Sequence, residues 1–237
     1  MRNSLLALII IVTATAGISA MTEPAPATAA RATSTQTAPA QTTAAAPVTT
    51  QAPVQAAAPA PPALKVDKDH RLVRIDTDLG SITVQLDAER APITVKNFLK
   101  YVKTGFYNHT SFYRVVPGFV IQAGDYTADY KPKSLGKPID NEAGNGLSNT
   151  RGSIAMARYD EPHSATAAFY INLVDNSWKL DPRPDRWGYA VFGRVVEGLD
   201  VMDKIAAVPT DAVEPFDKDA PVKPVVITKV TLLPLPK

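Results

Sequence analysis

The segment FYRVVPGFVIQAGD, residues 112–125, is two runs rich in aromatic and β-branched residues around a Pro117-Gly118 turn. Such runs favour strands, and Pro-Gly between them favours a tight reversal. Two short antiparallel strands are expected, Ser111 to Val116 and Phe119 to Ala123. On the first, Arg114 and Val116 share a face while Phe112, Tyr113 and Val115 build the pleat around them.

The same texture extends in both directions. Upstream, Leu72 to Asp78 and Ser81 to Leu86 alternate apolar and polar residues around Asp78-Leu79-Gly80, the pattern of a hairpin. A helix follows: Pro92 opens it, and Val95, Phe98, Leu99 and Val102 recur at helical spacing on one face. Lys100 and Lys103 complement the dipole of its last turn, and Gly105 stops it. Downstream, Ser153 to Ala157, Ala168 to Leu173, Tyr189 to Val196 and Val225 to Leu233 read as strands, with a second helix near Leu199 to Ala207. Eight strands and two helices predict a mostly β fold, a closed eight-stranded antiparallel barrel capped by two α-helices. Closure removes the exposed edges that invite aggregation.

The first quarter of the chain is different material. Arg2, the apolar run Leu5 to Val12 and the small residues Ala14-Thr15-Ala16 form the pattern of an export signal, expected over residues 1–20. The apolar run is shorter than the ~20 residues that span a bilayer. Residues 21–65 are expected to be a linker. Between 22 and 63 stand 16 Ala, 9 Thr and 8 Pro with no aromatic residue, Leu, Ile or Gly, too little apolar surface to offset ordering entropy. The folded domain is expected over 66–235. A periplasmic or secreted location follows, with membrane contact only if the leader stays on as an anchor.

Composition excludes several chemistries. The 237-residue chain carries a net charge of +2 with 20% charged residues, which does not suit nucleic-acid binding. There is no cysteine, hence no disulfide, thiolate nucleophile or iron–sulfur site. His70, His109 and His163 lack ligand spacing, so no metal is expected. Neither a phosphate-binding glycine loop nor a G-x-S-x-G elbow is present.

The segment 112–125 resembles the signature F-x-R-V-x-P-G-F-x-x-Q-x-G-D of the cyclophilins, a family of peptidyl-prolyl isomerases. The resemblance continues through APITVKNFLKYVKTGFY (91–107), NEAGNGLSNTRGSIAMAR (141–158), AFYINLVDN (168–176) and GYAVFGRVVEGLDVMDKI (188–205), and is strongest with bacterial periplasmic members. It implies an isomerase without cofactor, a monomer acting on proline-containing polypeptides in exported proteins. By this resemblance Arg114 is the catalytic cation, Phe119 and Val120 line the proline pocket, and Gln122 binds the substrate backbone. Ala157 and Arg158 flank the bound peptide, Ala168 and Tyr170 take further pocket positions, and Trp178, Leu180 and Tyr189 complete the wall. The sequence departs from the commonest family pattern at Val120 for Met, Arg158 for Asn, Ala168 for Gln, Tyr170 for Phe and Tyr189 for His. One extra residue before Leu180 unsettles the place of Trp178. These changes imply weak cyclosporin binding at most. They also keep open a second possibility, a proline-peptide binding module or holdase with little catalysis.

The chemistry suits these residue types. Rotation about an X–Pro bond faces a barrier of about 18–20 kcal/mol and breaks no bond. A catalyst needs an apolar seat for the ring, polar groups for the flanking backbone and a fixed cation near the prolyl nitrogen as it becomes pyramidal. Arginine never deprotonates and presents a rigid fork of donors.

Overall fold

The computed structural model describes residues 64–236, so the expected signal peptide and nearly all of the expected linker lie outside the described residues. Ten strands and three helices run in the order β1 (Leu72–Thr77), β2 (Gly80–Leu86), α1 (Pro92–Lys103), β3 (Thr110–Val116), β4 (Val120–Thr127), β5 (Ser153–Met156), β6 (Phe169–Asn172), α2 (Ser177–Leu180), β7 (Val191–Glu197), α3 (Leu199–Ala206), β8 (Thr210–Val213), β9 (Phe216–Pro221) and β10 (Val225–Leu232). Eight strands close into a barrel in the order β1-β10-β3-β4-β6-β5-β7-β2, and β8 and β9 form a separate two-stranded sheet. Every pairing is antiparallel.

Alternation along the strands fills the barrel. Val73, Ile75, Ile82, Val84, Phe112, Val115, Ile121, Ile154, Phe169, Ile171 and Phe192 form one buried cluster, joined by Val95 and Phe98 of α1 and by Met202 and Ile205 of α3. Phe98 meets the rings of Tyr107, Phe169 and Phe192 at 5.1–5.6 Å, so truncating it would cost about 3–5 kcal/mol. Helix α1 begins at Pro92 without a side-chain cap from Ala91. The Glu142 carboxylate does that work from afar, accepting the Ile93 and Thr94 backbone N–H groups at 3.0 and 2.8 Å.

Three features differ from the expectation. Among the described residues there are three helices rather than two, the additional one being the single turn α2. The β8–β9 hairpin is additional. Strand β3 does not alternate evenly, because its register against β4 passes from Phe112↔Ala123 to Arg114↔Gln122. One extra residue on β3 is a β-bulge. Phe112 and Val115 both enter the barrel core, and Tyr113 joins a different cluster outside it.

Candidate active site

The bulge decides where Arg114 goes. With Phe112 and Val115 committed to the interior, Tyr113 and Arg114 stand together opposite Gln122 of β4. Gln122 in turn pairs with Tyr170 of β6, and Tyr170 with Ala155 of β5. Arg114, Gln122, Tyr170 and Ala155 therefore form one cross-strand row. A second row of small residues runs beside it. The Ala157 N–H donates to the Ala168 carbonyl at 3.0 Å, and a Cβ on Gly124 would lie 3.1 Å from the Ala168 Cα.

An apolar cluster separate from the barrel core surrounds these rows. Val120, Ala155, Ala157, Ala168, Tyr170, Leu180 and Val191 are buried in it, with Phe119, Leu147 and Tyr189 packed at its margin. Seven residues expected at the site from the sequence are thus gathered: Phe119, Val120, Ala157, Ala168, Tyr170, Leu180 and Tyr189. Arg114 and Gln122 join them by strand register. Arg158 lies over the Tyr189 ring at 4.5 Å, while its Nε donates to the Gly188 carbonyl and its Nη1 to the Tyr159 and Asp160 carbonyls. It clasps the strands of chain beside the site.

Trp178 is not brought in. Its side chain is 63% exposed. In the turn of α2, Leu180 faces the cluster, and a residue two positions earlier points to the opposite side of a helix. Lys179 sits instead with its Nζ 5.0 Å from the Phe119 ring centre. Trp187 is likewise exposed, with its edge to His163 at 5.3 Å.

A buried amide network fixes the apolar side, and sequence patterning gave no sign of it. The Tyr170 hydroxyl donates to Asn149 Oδ1 at 2.7 Å. Asn149 donates through its backbone N and its Nδ2 to Asp181 Oδ1, both at 2.8 Å, and Ser148 donates to the same carboxylate. Asn172 Nδ2 reaches Asn149 and Ser153, and Asn176 Nδ2 reaches Asn172 Oδ1 and the Phe119 carbonyl. Tyr170, Phe119 and the α2 turn that carries Leu180 are thereby tied to one another.

The electrostatics centre on Arg114. Its side chain is only 12% exposed and its Nε lies 3.6 Å from Asp219 Oδ2 of β9. Burial pulls its pKa down, and Asp219 opposes that shift. Nη1 is buried without a hydrogen-bond partner among the described residues. Gln122 Nε2 donates to the Tyr113 hydroxyl, and the Tyr113 hydroxyl bonds the buried Asp125 carboxylate. Burial raises the Asp125 pKa to about 7, against the pull of that Tyr113 bond. Among the described residues no group of three His, Asp or Glu side chains could hold a metal ion.

Comparison with known proteins converges on one family. Residues 72–232 match the family described as "Cyclophilin type peptidyl-prolyl cis-trans isomerase/CLD". The chain is 48% identical over 161 residues to the peptidyl-prolyl cis-trans isomerase A of Dickeya dadantii (strain 3937), covering 68% of this chain and 84% of that protein. It is 47% identical over 163 residues to the peptidyl-prolyl cis-trans isomerase B of Escherichia coli (strain K12), covering 68% of this chain and 99% of that protein. In fold it resembles the crystal structure of a Cryptosporidium parvum cyclophilin type peptidyl-prolyl cis-trans isomerase, with a TM-score of 0.58 and 23% identity over 70% of this chain and 99% of that one.

Proposed function

The chain belongs to the cyclophilin-type peptidyl-prolyl cis-trans isomerases, and from that premise we propose that it accelerates X–Pro rotation in exported polypeptides through the row led by Arg114. The observation that carries this reading is the bulge in β3. It takes an arginine out of the barrel alternation and sets it, largely shielded from water, at one end of a row that ends in a buried apolar cluster.

The proline ring sits on Phe119, Val120 and Tyr170, above the low row of Ala157 and Ala168. Gln122 and the backbone of 157–158 grip the flanking peptide. As the amide twists, conjugation is lost and the prolyl nitrogen gains a lone pair. The Arg114 fork donates toward it and toward the neighbouring carbonyl. In the planar ground state that nitrogen offers no lone pair, so the interaction grows only on the way to the transition state, which is what lowers a barrier. The fork is prepaid in position, so little reorganisation is needed at the moment of rotation. A ~10⁵-fold acceleration asks about 7 kcal/mol of these contacts together.

Arg158 bears on binding more than on rotation. Its donors are already committed to the Gly188, Tyr159 and Asp160 carbonyls, so it shapes the groove wall and adds little to peptide affinity. Ala168 offers no side-chain donor, and Trp178 stands outside the wall. Weak cyclosporin binding is in keeping with both. We infer the export setting from the leader-like residues 1–20, and with it action on folding intermediates or exposed loops in or near the periplasm.

The test is a protease-coupled isomerisation assay on a short X–Pro peptide with Arg114→Ala beside the unaltered protein. Turnover is expected to collapse while the peptide still binds. Full turnover in the variant would dissociate the reaction from this site.

A further inference from the structure

Outside the barrel, the β8–β9 hairpin is tied to β3 and β4 by an aromatic cluster. Phe216 of β9 stacks on Tyr113 at 5.3 Å and 16°, and meets Tyr126 and Tyr130 edge-on at 4.9 and 5.5 Å. The Tyr130 hydroxyl donates to the Pro221 carbonyl at 2.6 Å. Offset and edge-on aromatic pairs add to the burial that fixes such an element. The hairpin is therefore seated on the very residue, Tyr113, that shares the bulge with Arg114.

Three residues beyond Phe216 stands Asp219, with φ +62°. That left-handed conformation is uncommon for a residue with a Cβ, and Asp and Asn tolerate it best. From there Oδ2 reaches Arg114 Nε at 3.6 Å, both side chains being largely shielded, 27% and 12% exposed. Tyr113 and Tyr189 are the other titratable groups that bear on the guanidinium. Neither carries a compensating negative charge at neutral pH. A guanidinium this deeply shielded pays for desolvation unless an anion stands close. Asp219 meets that need at the Nε edge and leaves Nη1 without a hydrogen-bond partner among the described residues.

We propose that Asp219 is a positioning residue for the isomerase reaction: from the β8–β9 hairpin it fixes the Nε edge of Arg114, so that the Nη edge of the fork stays aimed at the twisting amide. This rests on the reading of Arg114 given above. Without the carboxylate, the fork loses its anchor and turns toward solvent. The contact is with the arginine and not with substrate, so the loss falls on kcat more than on KM.

Asp219→Asn is the informative variant, since Asn keeps the backbone at φ +62° and removes only the charge. A fall in kcat of ~10-fold is expected, the scale of a small misplacement of a reacting group, with KM changed less than about twofold. Combined with Arg114→Lys, the Asn substitution should cost almost nothing further, because there is no positioned fork left to lose. Unchanged kcat in Asp219→Asn, beside a large loss in Arg114→Lys alone, overturns the role of Asp219 and leaves Arg114 standing. An equal loss from Asp219→Asn in both backgrounds also overturns it, and makes the hairpin a structural support only. Unchanged turnover in Arg114→Lys sinks both readings. In the unaltered protein the Arg114 Nε–H should exchange slowly with solvent by NMR, and rapid exchange there would contradict the anchor without any variant.

Discussion

At the scale of single residues, two positions beneath the site carry sharp consequences. Asp125 is shut away from water below Tyr113, and its pKa rises from 3.8 to about 7 because burial penalises the charged carboxylate. Unfolded, the same group titrates at the ordinary lower value, so between pH 4 and 7 the folded state holds the extra proton. Its stabilising contribution is complete below pH 4 and is lost as the pH rises through 7. Melting temperature should therefore decline over that interval, and Asp125→Asn should flatten the decline. Parallel curves for the two proteins would place the proton elsewhere. Gly124 is the second position. A methyl there would stand 2.7 Å from the Ala167 carbonyl oxygen at φ +120°, a conformation that residues with a Cβ avoid. Gly124→Ala should cost roughly 2–3 kcal/mol by chemical denaturation and reduce turnover as well, because the backbone that must yield carries Ala168. Retained stability would mean that β4 and the chain before β6 can part without strain.

At the scale of elements, the barrel strands were legible and the pieces that finish the site were not. All eight barrel strands carry short runs of apolar, β-branched or aromatic residues, a signal that survives because at least one face of each strand is buried. The β8–β9 hairpin lacks it. Thr210 to Pro221 carries Asp211, Glu214, Asp217, Lys218 and Asp219 with prolines inside and at its end, and only Phe216, Ala220 and Pro221 are well buried. Its stability comes from the rings of Tyr113, Tyr126 and Tyr130, distant in sequence, which no local pattern announces. The bulge in β3 was hidden for a related reason, since period-two counting assumes an unbroken ladder. Arg114 itself was found through the motif, not through alternation. In α2 Trp178 turns to solvent and Lys179 lies over Phe119. With that wall open, cyclosporin should bind with a Kd above ~1 μM by calorimetry, on the order of 8 kcal/mol or less. Nanomolar binding would require Trp178 to fold back over the pocket. The amide network behind α2 is equally specific. Asn149→Ala strands the buried Tyr170 hydroxyl and removes one of the donors to Asp181, and should cost about 1–3 kcal/mol.

At the scale of the whole molecule, the barrel supplies rigidity and its outer face supplies chemistry. Phe112, Val115, Ile121, Phe169 and Ile171 lock β3, β4 and β6 from within. Arg114, Gln122 and Tyr170 ride on the same strands, so their spacing is set by strand register and not by loop conformation. A protein beginning at Leu64 should fold and turn over like the full chain, because the barrel and its site draw on residues from Leu72 onward. Loss of cooperative unfolding on that truncation would show that the Ala- and Pro-rich residues contribute to the fold. Whether rotation is catalysed by this one guanidinium is read most directly by comparing Arg114→Lys with the unaltered protein, measuring kcat/KM by the coupled assay and peptide affinity by calorimetry. Lysine keeps the charge and loses the fork. A ~10²-fold fall in kcat/KM is predicted, about 2.7 kcal/mol of transition-state stabilisation, with a much smaller loss of affinity and little change in melting temperature. Equal losses in affinity and turnover would make Arg114 a ligand-holding residue, and unchanged turnover would contradict its part in the reaction.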